Sequence, residues 1–196
     1  SRSGLIPLTG MTTRHIHIKG RVQGVGFRPA VFRVATSMHL KGRVANTADG
    51  VHIEINADDK DLALFLSTLQ NQLPPMAVIS DLKVEEVAPI DFPSFSIVKD
   101  DVIRPFDMWI TPDLAMCDDC RKSLHSKEDK RHAYAFTTCL NCGPRYSIIK
   151  ALPYEREFTS MAYLHACPSC EKEYQNPVDN RFYSQTNSCP SCAVQM

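Results

Sequence analysis

The sequence predicts an α+β chain: a βαββαβ sandwich of ferredoxin-like topology, followed by a small, loop-rich module present in duplicate. Three observations carry this reading. Hydrophobic periodicity alternates between two and 3.6 residues through the front half, in the order strand, helix, strand, strand, helix, strand. All eight cysteines lie beyond residue 116. Those cysteines repeat at a constant displacement of 50 residues, from Cys117 to Cys167 and onward.

The first strand is "RHIHIKG", with Ile16 and Ile18 on one face and His15, His17 and Lys19 on the other. His15 and His17 read as solvent-face residues rather than ligands, because no partner spacing supports a metal. "PAVFRVATSMHL" follows as a helix with Pro29 at its first position, where a missing N–H costs nothing. "KGRVANTADGVHIEINA" gives two strands joined around Asp49-Gly50, a hairpin signal. "DDKDLALFLSTLQNQL" is the strongest helix. Leu62, Phe65, Leu66, Leu69 and Leu73 form one apolar stripe, and Asp58, Asp59 and Asp61 favour its positive N-terminus. Pro74-Pro75 end it. "ISDLKVEEVAP" is a further strand and "FSIV" a short last one. Two helices covering one face of a four-stranded antiparallel sheet satisfy this order.

The back half reads C-x2-C-x18-C-x2-C twice. Cys117, Cys120, Cys139 and Cys142 form the first group; Cys167, Cys170, Cys189 and Cys192 form the second. Asp129 and Arg131 recur as Asp179 and Arg181, and Lys122 as Lys172. Paired C-x2-C knuckles at this separation are a zinc signature, and four thiolates leave no open position, so two structural zinc ions are expected. The spacing leaves open whether each ion takes one repeat or exchanges pairs between repeats. Such polar linkers need a metal staple to fold. His125, His132 and His165 are then spare, and Tyr134, Tyr146, Tyr154, Tyr163, Tyr174 and Tyr183 pack small satellite cores.

The expected organisation is 1–10 a cloning remnant ahead of Met11 as initiator, 11–100 the α/β domain and 101–116 a linker. Then come 117–142 the first finger, 143–166 a connector, 167–192 the second finger and 193–196 a tail. Lys+Arg and Asp+Glu are equal at 22 each. Without a basic excess, a broad nucleic-acid footprint is not expected. No apolar run approaches the length of a membrane span. The start lacks a signal peptide's pattern, and clustered C-x2-C thiols suit a reducing compartment, so a cytoplasmic protein is expected.

The chemistry concentrates in "GRVQGVGFRP" between the first strand and helix. Gly24 and Gly26 permit a tight concave turn whose N–H groups form an anion nest. The following helix start adds free N–H groups, and Arg28 adds a planar charged fork suited to phosphate. A cation there is unfavourable without an anion, since the helix N-terminus is already positive. No Gly-Lys-Ser/Thr follows, so a nucleotide loop of the Walker type is excluded.

"GRVQGVGFR" followed by "GRVANTADGVHIEI" resembles the acylphosphatase family over roughly residues 13–99. The resemblance implies that the loop of Val22, Gln23, Gly24, Val25, Gly26, Phe27 and Arg28 binds phosphate. It also implies that Asn46 holds the attacking water. Asn46 shares a strand face with Val44, pointing inward. Neither motif contains a histidine or carboxylate base. Positioning and charge stabilisation are expected to suffice, with a substrate phosphate oxygen taking the water's proton and no metal in this site.

Together with "TPDLAMCDDC", "CLNCGPRYSI" and "DNRFYSQTNSCPSC", the chain resembles the N-terminal part of the hydrogenase-maturation carbamoyltransferase HypF family. That resemblance implies hydrolysis of carbamoyl phosphate. The carbamate is then adenylated and passed to HypE, on the way to the cyanide ligands of [NiFe] hydrogenase. The adenylating and transferase domains of the family lie beyond the fingers, so carbamoyl transfer is not expected of these residues alone. Competing readings are a general acylphosphatase with an appended zinc module and a non-catalytic zinc adaptor.

Overall fold

The computed structural model describes residues 12–100, 102 and 104–192. The readings of 1–10 as a remnant, Met11 as initiator and 193–196 as a tail lie outside the described residues.

The front domain follows the expected element order. Strand β1 (Thr13–Arg21) leads to helix α1 (Phe27–Ser37), then β2 (Lys41–Thr47), β3 (Gly50–Asn56), α2 (Asp59–Asn71), β4 (Val78–Val87) and β5 (Phe95–Lys99). The sheet order is β4-β1-β3-β2-β5. Four strands are antiparallel, but β5 pairs parallel to β2, with Val44 opposite Ile97. The sheet is therefore five-stranded and mixed, not four-stranded. The short "FSIV" run covers an edge that β2 would otherwise expose.

Val51, Ile53 and Ile55 alternate onto the helix side of the sheet, where they meet Ile16, Ile18 and Val44. Phe65 and Leu69 of the α2 stripe close over them, with Leu62, Leu66 and Leu73 partly buried at its margin. The Asp58 carboxylate caps α2 by accepting from the Asp61 N–H at 2.7 Å. Two local expectations shift. The hairpin turn is Ala48-Asp49, because Thr47 already pairs with Gly50. Helix α1 starts at Phe27, so Arg28 lies inside its first turn and Pro29 follows it.

His15 and His17 are half-buried rather than solvent-facing. Their rings stack on His52 at 5.0 and 4.1 Å, and His52 Nε2 lies 3.1 Å from the Asp49 carboxylate. The ligand atoms of His17, Asp49 and His52 lie within 4.8 Å of one another.

The stretch read as a linker packs along the front domain. Asp107 N–H donates to Ala48, Trp109 N–H to Gly20, and the Thr111 hydroxyl to the Gln23 carbonyl. Beyond it, helices α3 (Asp118–His125) and α4 (Pro168–Gln175) each begin directly after the first cysteine of a finger. The duplication is cross-braced. Arg131 reaches into the second repeat, donating to Ser188 O at 2.8 Å and lying 3.6 Å from Cys170 Sγ. Arg181 makes the matching approach to Thr138 O at 3.0 Å and Cys120 Sγ at 3.9 Å. Each repeat thus supplies the other with a buried guanidinium near its cysteines. Among the described residues, no helix is long and apolar enough to cross a membrane.

Candidate active site and metal centres

Gly24 and Gly26 adopt left-handed conformations, with φ of 72° and 79°. These angles turn the chain from β1 into α1, and a side chain there would strain it. Gly26 is the N-cap of α1 and has no side chain to satisfy the helix N–H groups. No acidic residue occupies the first turn. The helix start therefore presents unneutralised donors, as an anion site requires.

Arg28 sits at this end, 6% exposed. Its two terminal nitrogens donate to the two carboxylate oxygens of Glu155, one at 3.2 Å and the other closer still. Glu155 is buried to the same degree, with 7% of its side chain exposed. The glycine-loop and Asn46 motifs contain no carboxylate; this one comes from the stretch read as a connector between fingers.

The same connector supplies part of the far wall, through Arg145 and Tyr154. The Tyr154 N–H donates to Gln23 Oε1 at 2.9 Å, and the Tyr154 carbonyl accepts from Asn46 Nδ2 at 3.2 Å. The Gln23 amide spends its N–H groups on Thr47 O and Gly50 O, at 2.7 and 2.8 Å. One loop glutamine thereby ties together the loop, the hairpin and the connector. Arg145 does the same for the first finger. Its guanidinium donates to the carbonyls of Cys139, Leu140 and Cys142, and its Nε to Gly24 O in the loop.

Arg28 and Asn46 are brought together on one small cavity of about 30 Å³, with Val22, Gln23, Gly24, Gly26 and Phe27 on the loop side. Val25 instead packs into the core of the front domain. Tyr154 lines this cavity instead of a satellite core, and Tyr183 joins it. Tyr146 and Tyr163 are exposed, whereas Tyr174 and Tyr183 pack together at 4.8 Å. Sequence reasoning missed Glu155, Arg145 and Tyr154. The only signal was Arg145 within "CGPRYSI", where an arginine follows a knuckle that should need no charge.

The cysteines group within repeats, which removes the interleaved alternative. Cys117, Cys120, Cys139 and Cys142 form one cluster, and Cys167, Cys170, Cys189 and Cys192 the other. All eight are free thiols. Neighbouring sulfurs stand 3.6–3.8 Å apart in both clusters. Four sulfurs at about 2.3 Å from a tetrahedral zinc would be about 3.8 Å apart, so the donor set fits that ion. Burial pushes the Cys170 thiol up from its ordinary pKa, so holding four thiolates together requires a cation. Metal analysis is expected to give two zinc ions per chain. Cys117→Ser and Cys167→Ser, each made alone, should lose at least the ion of their own repeat; an unchanged content of two in either variant would refute the assignment.

The fold and the site define an acylphosphatase domain joined to a duplicated four-cysteine finger. The family model for acylphosphatase matches residues 14–97, and that for the HypF finger matches 116–149 and 166–196. The chain belongs to the HypF carbamoyltransferase family and carries its acylphosphatase and finger regions. It is 39% identical to carbamoyltransferase HypF of Rhodobacter capsulatus over 186 residues, covering 95% of this chain and 25% of that protein. The front domain alone is 43% identical to an acylphosphatase of Pseudothermotoga lettingae, covering 45% of this chain and 99% of the relative. Among solved structures, full-length HypF in its phosphate- and nucleotide-bound form matches with a TM-score of 0.85 at 39% identity. That match covers 93% of this chain and 24% of the solved one. The chain thus spans about a quarter of the length of the carbamoyltransferase relatives.

Proposed function

We propose that this chain hydrolyses carbamoyl phosphate at the loop of residues 22–28, as the first step of a carbamoyl transfer to a HypE-like acceptor in [NiFe]-hydrogenase maturation in the cytoplasm. One observation carries the reading. Three buried side-chain polar atoms among the described residues lack a hydrogen-bond partner, and two of them belong to this cavity's walls: Asn46 Oδ1 and Tyr154 Oη. Orphaned buried polar atoms are costly and rare, and these two stand beside the loop that is built for an anion. The phosphate bound in the solved HypF neighbour supports a phosphate-type ligand.

In this mechanism the loop N–H groups and Arg28 hold the phosphoryl oxygens and stabilise charge that builds there. The Asn46 Nδ2 is committed to Tyr154 O, which fixes the amide and leaves Oδ1 free to accept from a water. That water attacks phosphorus. The bond from phosphorus to the carbamoyl oxygen breaks, carbamate leaves with the electron pair, and a phosphoryl oxygen takes the water's proton. Burial raises the Tyr154 phenol above its ordinary pKa, so it stays protonated and serves as a donor at neutral pH. Zinc, held by the two cysteine sets, would supply structure, since a closed four-thiolate site offers no coordination position to substrate.

The test is release of inorganic phosphate from carbamoyl phosphate by the purified chain, without ATP. Absence of release would refute the reading. Asn46→Ala should lower kcat by about 100-fold, the scale of losing one positioned polar group, while affinity for inorganic phosphate changes less than about threefold. A collapse of phosphate affinity would instead make Asn46 a phosphate ligand.

A further inference from the structure

We propose that Glu155 is an acyl-recognition residue: displaced from Arg28 by the incoming phosphate, its carboxylate accepts hydrogen bonds from the carbamoyl N–H2 group. It makes the site selective for acyl phosphates that carry an N–H donor on the acyl carbon. This deepens the proposed hydrolysis and rests on it.

The inference starts from a conflict of occupancy. Both oxygens of Glu155 are on the Arg28 fork, and the cavity beside them measures about 30 Å³. Both terminal nitrogens of the fork are already taken by that carboxylate. A phosphate that uses Arg28 must therefore take the place of the carboxylate. Glu155 is then an internal anion standing where the substrate's phosphoryl oxygens go.

The displaced carboxylate has nowhere remote to go. Its backbone N–H donates to Pro153 O, and its carbonyl accepts from the Phe158 N–H, both at 2.8–2.9 Å. The Tyr154 N–H and carbonyl immediately before it are fixed on Gln23 and Asn46. Only side-chain rotation is available. Among the described residues, Arg28 is the sole donor to this carboxylate. Once the fork is lost, a buried carboxylate lies beside a bound phosphate with both of its hydrogen bonds gone. Such a group is strongly unfavourable unless a new donor reaches it.

Carbamoyl phosphate brings that donor. Its acyl carbon carries an amide nitrogen with two N–H bonds, attached one oxygen away from the phosphorus that occupies the loop. Acetyl phosphate presents a methyl group of similar size at the same place and leaves the carboxylate unpaired. A site built around a buried polar group rejects an analogue that lacks the matching partner far more strongly than an apolar pocket rejects a shape. Selectivity thus comes from the finger module, because Glu155, the carboxylate on the Arg28 fork, lies beyond the front domain that supplies the loop and Asn46.

The experiment compares kcat/KM on carbamoyl and acetyl phosphate for the full chain and for Glu155→Gln, with inorganic phosphate binding measured alongside. The wild-type chain should prefer carbamoyl phosphate by about 100-fold or more. In Glu155→Gln that preference should fall to within about fivefold, chiefly through faster acetyl phosphate turnover. Inorganic phosphate should bind at least about tenfold tighter, because no charged residue competes for Arg28. A variant that keeps the wild-type preference, or binds phosphate no more tightly, overturns the inference. Should the variant fail to fold, the wild-type comparison still decides: equal turnover of both substrates overturns the inference. No turnover of either substrate by wild type sinks the hydrolytic reading itself, a distinct outcome.

Discussion

Arg28→Ala is expected to reduce phosphate release by about 1,000-fold and, in the same protein, to lower stability. On the proposed hydrolysis, the catalytic loss follows from removing the only full positive charge that the loop would offer to the phosphoryl group, on the scale seen when a preorganised charged donor is deleted. Arg28→Lys should also be poor, because a single ammonium cannot address two oxygens in a plane. Sequence alone suggests that losing this arginine leaves the fold intact, since a cation in the first turn of a helix opposes the dipole. The structure reverses that expectation. Arg28 holds the buried Glu155 carboxylate, and truncating one partner of a buried ion pair leaves the other uncompensated, at about 3–5 kcal/mol. The double variant Arg28→Ala/Glu155→Gln separates the two effects. It should recover most of the lost thermal stability and none of the activity. Recovery of activity, or a single variant as stable and as active as wild type, would contradict the placement of Arg28.

The front domain was legible because its signals are local and redundant. The alternation of Val51, Ile53 and Ile55 and the stripe containing Phe65 and Leu69 each fix which face is buried, and all are fully or almost fully buried. The parallel pairing of β5 was not legible. Five residues of "FSIVK" carry the same period whether they join an antiparallel or a parallel edge, and the choice is made by tertiary packing. The cysteine clusters were legible as ligands from spacing but not as pairs, since the spacing is identical in both repeats. The site was half legible. Glycines at positive φ and an arginine at a helix start announce an anion, whereas Glu155 and Tyr154 lie more than a hundred residues away in a stretch without periodicity. Long-range contacts of irregular chain leave no pattern along the sequence. Arg131 and Arg181 lie between these cases: their 50-residue repetition was visible, and their exchange between repeats was not.

Chelation of zinc is expected to release both ions in one cooperative step and to take carbamoyl phosphate hydrolysis with them. A structural zinc would stabilise each module by on the order of 10 kcal/mol, far more than so small a polar unit otherwise gains. The two units do not stand independently. Arg131 of the first repeat lies against Cys170 and binds Glu173 of the second through two nitrogens, at 2.9 and 2.6 Å. Arg181 of the second repeat returns to Thr138 and Cys120 of the first. Loss of one cluster removes the partner that orders the other arginine, so the second ion follows the first. The front domain should survive, because its core cluster draws only on residues between Ile16 and Phe95. Circular dichroism should therefore lose the contribution of α3 and α4 and keep that of the sheet. Hydrolysis of carbamoyl phosphate should nonetheless fall by at least about tenfold. Arg145 anchors the Gly24 carbonyl to the second knuckle of the first finger, and the Tyr154 carbonyl fixes the Asn46 amide, so both constraints on the loop and the proposed water vanish with the module. Two well-separated release steps, with the second repeat unchanged after the first, would show that the arginine exchange does not couple the fingers. Full carbamoyl phosphate turnover by zinc-free protein would show that the finger module is not part of the site.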